Sequence, residues 1–218
     1  MPGSSFSLPL YFDYGATFLW ALSGGLYGAK RGYDVAGIAA IALVSSLGGG
    51  LLRDGVFLQN GPPAMIMTPA YLIIVSFATI LVVGFGRRVD NWIWLDSAVQ
   101  MADALGIGGY AVVGVSKALA LNILPYGGAL IGIVNAVGGG MLRDTLTGEE
   151  PQIFKPGTLM ALAALAGCLA YLALTLLARM DGQFAAWITI ALCFVLRAAS
   201  VRYKLITHAV RGVYEPSE

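Results

Sequence analysis

Apolar residues run along this chain in blocks of about 20, divided by short polar breaks. A block of that length is what a helix needs to cross the hydrocarbon core of a bilayer. Seven helices are predicted on this basis, at 11–29, 35–58, 69–86, 98–117, 125–147, 158–177 and 184–203. Composition sharpens the picture, since 58% of the residues are hydrophobic, only 11% are charged and the mean hydropathy is +0.78. The expected fold is an all-α integral membrane protein forming a single transmembrane domain over 1–218.

The same heptapeptide occurs in each half of the chain, as Gly48-Gly49-Gly50-Leu51-Leu52-Arg53-Asp54 and as Gly138-Gly139-Gly140-Met141-Leu142-Arg143-Asp144, 90 residues apart. A shift of 90 also aligns Asp13 with Asp103, Ala21 with Ala111, Gly24 with Gly114, Gly37 with Gly127, Ile41 with Ile131 and Val44 with Val134. Past Asp54 and Asp144 the match fades, although Pro69 and Pro156 each open a following helix with a three-residue slip. The chain therefore reads as one repeat over 11–86, a second over 98–177, a seventh helix at 184–203 and a cytoplasmic tail at 204–218. A three-helix unit crosses an odd number of times, so its second copy enters from the opposite side and the repeats are inverted in topology.

Three successive glycines are a poor continuation of a helix, each costing about 1 kcal/mol against alanine. At symmetric positions they have two readings, as interruptions of helices two and five that line a path, or as small residues that let helices approach closely. Arg53, Asp54, Arg143 and Asp144 place ionised groups inside apolar segments, either as parts of a pore or as side chains reaching for the headgroups. Neighbours on a helix point about 100° apart, which favours partners on other helices over pairing within each dipeptide. Asp13 and Asp103 are the candidate partners. Lys117 and Lys30 close helices four and one at opposite faces, where each sets the potential at a mouth or is an ordinary interfacial lysine.

Lys30, Arg31, Arg87, Arg88, Lys155, Arg202, Lys204 and Arg211 fall on one predicted face, and Lys117 and Arg179 on the other. Basic residues are retained in the cytoplasm, which puts the N-terminus outside and the C-terminus inside. No basic residue precedes the first apolar block, so a cleaved signal is not expected. Arg197, Ser200, Lys204, His208 and Arg211 form a polar stripe read as a solvated surface anchor. The net charge of +1 argues against a nucleic-acid partner. Cys168 and Cys193 fall within apolar helices as small fillers, and neither a metal site nor a hydrolytic or redox constellation is expected, so the chain is read as a non-enzyme without cofactor.

The doubled Gly-Gly-Gly-x-x-Arg-Asp, the Asp103-Ala104-Leu105-Gly106 opening of helix four and the Lys30/Asp34/Gly37 loop carry a resemblance. On these marks the chain resembles the prokaryotic homologues of the trimeric intracellular cation channels, a two-repeat family also linked by name to glycine transport. The resemblance spans nearly the whole chain. It implies seven helices in a three-plus-three-plus-one arrangement, a homotrimer, and an hourglass pore in each protomer with helices two and five kinked at the glycine triplets. It also implies permeation by monovalent cations, potassium with sodium, and a place in the plasma membrane of a prokaryote among membrane lipids. A carrier for a small zwitterion such as glycine is the alternative.

Overall fold

The computed structural model describes residues 10–86, 92–155 and 159–203, and among them every regular element is helical. Helix α1 covers Leu10–Lys30 and stops before Gly32, whose φ of +75° turns the chain. Asp34 caps the next helix by accepting the Gly37 amide at 2.8 Å, and α2 runs from Val35–Leu51. It continues without a break as a π-helical stretch, Leu52–Leu58, closed when the Gln59 amide donates to the Asp54 carbonyl at 3.0 Å. A single turn, α3 (Ala64–Met67), leads into α4 (Ala70–Gly86), which starts directly after Pro69 as predicted. Helix α5 spans Trp92–Ala120 and α6 spans Pro125–Leu146, with proline at the first helical position, where its missing donor costs nothing. Helix α7 (Met160–Leu172) also ends in a π-helical stretch, Ala173–Leu177, and Asp181 caps α8 (Gly182–Arg202).

The predicted helices are all present among the described residues, with two differences. The fourth begins six residues before the predicted start at 98 and reaches Ala120. The α3 turn was not predicted, since four residues between prolines carry too little periodicity to register. Pro156, Arg87, Arg88 and the tail at 204–218 lie outside the described residues. Among the described residues four elements are long and apolar enough to cross a membrane by length and composition: Val35–Leu58, Pro125–Leu146, Met160–Leu177 and Gly182–Arg202, with Ala70–Phe85 a shorter apolar helix.

Packing follows the repeat. Helix α1 lies against α2 and α4 as α5 lies against α6 and α7, while α1 meets α5 and α2 meets α6. The contact between α2 and α6 fixes their directions. A Cβ on Gly139 would run into the Ser45 carbonyl, and a Cβ on Gly49 into the Asn135 carbonyl. One on Gly48 would stand 2.8 Å from Leu142, and one on Gly138 2.9 Å from Leu52. Partners on α6 count down as positions on α2 count up, and each contact has its mate 90 residues on. The two helices therefore cross antiparallel, with these contacts related by a pseudo-two-fold axis beside Gly49 and Gly139. Both triplets remain helical; in α2 the departure from α-helical geometry begins after them, at Leu52.

Trp20 fills the space beside this crossing and is 1% exposed. It fits because Gly106 and Gly140 offer no side chain: a Cβ would stand 2.5 Å from the indole at the first and 3.3 Å at the second. Apolar residues of α5, α6, α7 and α8 close around it, and a smaller cluster joins Ala21, Ala42 and Leu47 to Tyr71, Val75 and Ala78 of α4.

Gly49→Ala and Gly139→Ala each force a methyl group into a backbone carbonyl and are expected to cost about 1–3 kcal/mol. Gly15, which has nothing within 4 Å of a Cβ, is the control. Thermal unfolding of the detergent-solubilised protein should show a lower midpoint for the first two variants and an unchanged or higher one for Gly15→Ala.

Candidate functional site

One turn beyond the Gly49 crossing, Arg53 enters the interior on the π-helical stretch and is 2% exposed. Its Nε donates to Asp54 Oδ1 at 2.6 Å and its Nη2 to Asp54 Oδ2 at 2.8 Å, a two-point pairing between sequence neighbours. Nη1 reaches Asn135 Oδ1 of α6 at 3.3 Å, and the Asn135 amide is held by the Tyr110 carbonyl at 2.7 Å. Asp54 also accepts the Ala64 amide at 3.3 Å. Asp13 takes the Tyr71 hydroxyl at 2.8 Å, and Lys117 Nζ stands 3.4 Å from Asp13 and 3.8 Å from Asp54. Two cations and two carboxylates thus meet at this end of the molecule. Lys117 and Asp54 open into a cavity of about 260 Å³ edged by Leu58, Asn60 and Leu121.

Ninety residues on, Arg143 Nε donates to Asp144 Oδ1 at 2.9 Å, and Asp144 Oδ2 accepts the Gln152 amide at 3.0 Å, much as Asp54 accepts that of Ala64. The Arg143 guanidinium lies over the Tyr27 ring, 4.6 Å from its centroid. Tyr27 stands where Lys117 stands in the other repeat, so an aromatic face replaces an ammonium there. Asp103, the mate of Asp13, accepts a hydrogen bond from Ser23 Oγ. At the rim Arg31 pairs with Glu149 and donates to the Thr147 carbonyl at 3.1 Å.

These contacts correct the expected pairing. Each arginine makes its ion pair within its own dipeptide, because a side chain this long can fold back to present Nε to the adjacent carboxylate, while Arg53 also reaches Asn135 and Arg143 also covers Tyr27. Asp13 and Asp103 act on Arg53 and Arg143 through space without hydrogen-bonding to them. Lys117 joins the first cluster. Lys30 ends α1 at an exposed position, and Tyr27 occupies the equivalent place in the second cluster. The polar stripe on α8 is also corrected, for Arg197 and Ser200 are 3% and 4% exposed and point inward; Lys204, His208 and Arg211 lie outside the described residues. Sequence reasoning missed Tyr71, Asn135, Tyr110, Ser23, Tyr27 and Arg31. Asn135 alone carried a clear signal, as an amide in an apolar segment aligned with Ser45.

The family described as glycine transporter matches residues 10–87 and 100–175, one repeat in each stretch. The chain belongs to this family. Among relatives of the glycine transporter family, the inner membrane protein YadS (UPF0126) of Escherichia coli K12 is 27% identical over 201 residues, covering 91% of this chain and 94% of that protein. A UPF0126 membrane protein of Deinococcus radiodurans is 28% identical over 158 residues, covering 72% of each. Solved TRIC cation channels share the fold: one is 26% identical with a TM-score of 0.80, covering 95% of this chain and 98% of its own. The TRIC orthologue from Rhodobacter sphaeroides is 28% identical with a TM-score of 0.81, covering 90% of this chain and 98% of its own.

Removing one partner of a buried pair leaves an uncompensated charge, at a cost of about 3–5 kcal/mol, whereas a partly exposed pair contributes about 0–1 kcal/mol. Asp144→Ala should therefore lower the thermal midpoint strongly, and Arg31→Ala should leave it nearly unchanged. The comparison is made in one detergent by following the loss of folded protein on heating.

Proposed function

We propose that this protein is a channel for monovalent cations, potassium with sodium, in the inner membrane of a prokaryote. The observation that carries the reading is a pair of buried charge clusters, on opposite sides of one pseudo-two-fold axis within a single chain, on a fold shared with solved TRIC cation channels. Seven helices cross the bilayer, three to a repeat with α8 added, and the excess of basic residues at one face favours an external N-terminus and a cytoplasmic C-terminus. Three copies assemble as a homotrimer, in keeping with the trimeric R. sphaeroides orthologue. Apolar side chains exposed along α4, among them Leu72, Ile73, Phe77 and Ile80, are available to other copies and to lipid.

Each protomer then holds its own path, narrowed to an hourglass where α2 and α6 meet at Gly48, Gly49, Gly50, Gly138, Gly139 and Gly140, with the helices bent beside the triplets. Arg53 and Arg143 would each raise a barrier to cations if unpaired. Asp54 and Asp144 offset them, and Asp13 and Asp103 supply the further carboxylates at the two ends, Asp13 beside Lys117, so that no excess of positive charge excludes a cation. Lys117, the half-buried member of the first cluster, tunes that mouth, with Lys30 at the far one. A carrier for a small zwitterion is the second reading, favoured by the family's description as a glycine transporter.

Recording from purified protein in planar bilayers with asymmetric potassium chloride separates these readings. A channel gives unitary steps that reverse toward the potassium equilibrium potential, and Lys117→Gln raises the cation preference by several-fold. Saturable glycine counterflow without unitary steps would replace the channel by the carrier.

A further inference from the structure

The cluster around Arg53 balances, with Arg53 and Lys117 against Asp13 and Asp54. Carrying those four positions forward or back by 90 residues gives Arg143, Tyr27, Asp103 and Asp144, one cation against two carboxylates. The repeat by itself leaves a buried negative charge at that end, which is costly away from water. Helix α8 has no counterpart in the repeat, and it brings a cation to this place. Its packing on α5 sets the level: a Cβ on Gly108 would lie 2.9 Å from Ile190 Cα. Arg197 lies two turns beyond Ile190, about 10 Å along α8. There Arg197 and Ala198 share a groove of about 240 Å³ with Gln100, Met101 and Ala104, the stretch of α5 that carries Asp103.

Both groups are buried, Arg197 at 3% and Asp103 at 4% exposure; Asp103 is the charge that acts on Arg197, and Arg197 adds to the larger effect of Arg143 on Asp103. The Nε and Nη1 atoms of Arg197 have no hydrogen-bond partner among the described residues. Neither atom therefore takes part in a hydrogen-bonded fork here.

We propose that Arg197 is the counter-charge of Asp103, a positioning residue that brings the second cluster to neutrality and thereby sets the ion preference of that end of the path. The inference rests on the channel reading above. Lysine should serve in place of arginine, since no two-point geometry is used.

The test is the potassium-to-chloride permeability ratio of full-length protein in asymmetric potassium chloride. Arg197→Gln leaves one net negative charge and should raise the ratio by about tenfold. Arg197→Lys should match the wild type, Asp103→Asn should lower the ratio, and the Asp103→Asn/Arg197→Gln double variant should return it to the wild-type value. An assembled Arg197→Gln channel with the wild-type ratio would overturn the proposal, as would Arg197→Lys behaving like Arg197→Gln. Should Arg197→Gln fail to assemble, the double variant decides, because a merely structural role for Arg197 predicts that it fails as well. Absence of any wild-type cation current would instead remove the channel reading itself.

Discussion

At Gly49 and Gly139 the backbones of α2 and α6 touch, and any side chain there would collide with the carbonyl of Asn135 or Ser45. This one antiparallel crossing sets the rest of the architecture. It creates the pseudo-two-fold axis, so whatever follows Gly49 on one helix is reproduced after Gly139 on the other, heading the opposite way. Arg53 and Arg143 each come four residues past their crossing glycine, about 6 Å along the axis. One tight contact between two small residues thus places two charged clusters on opposite sides of the midpoint within a single chain. Trp20 completes the junction from α1, seated against Gly106 and Gly140.

Symmetry stops where the charges have to be satisfied. In the first repeat α2 loosens into a π-helical stretch as it carries Arg53 and Asp54, a feature often found where a helix serves a site. In the second, α6 remains α-helical to Leu146 and Tyr27 supplies an aromatic face to Arg143. Lys117 has no basic mate. The two ends of the molecule are therefore alike in backbone and unlike in chemistry, and two ends of different character suit a path between compartments of different composition.

The repeat of 90 residues, the triplets and the helical segments were all legible in the sequence, because each shows in one-dimensional periodicity or in plain identity of residues. The partners of the charges were not. A separation of 100° between neighbours describes where Cβ atoms point, and it says little about an arginine whose five-atom reach lets it turn back onto Asp54 or Asp144. The π-helical stretch after Leu51 has no compositional mark, since Leu52, Val56 and Phe57 would suit an α-helix equally well. Arg197 was visible as an ionisable residue in an apolar segment, but its spacing to Ser200 and Lys204 suggested a solvated stripe. Only the packing of α8 on α5 turns it inward. Tyr27 was hidden for the opposite reason, as a residue in register with Lys117 that differs from it in chemistry.

On the channel reading, each chain contains a complete path built around its own α2 and α6 crossing. The most direct test is single-channel recording from a tandem of three linked copies in which one copy carries Gly49→Leu and Gly139→Leu. Independent paths predict a loss of about one third of the conductance with the remaining levels unchanged. If every level shifts together, the ions share a path between the copies and the account is wrong.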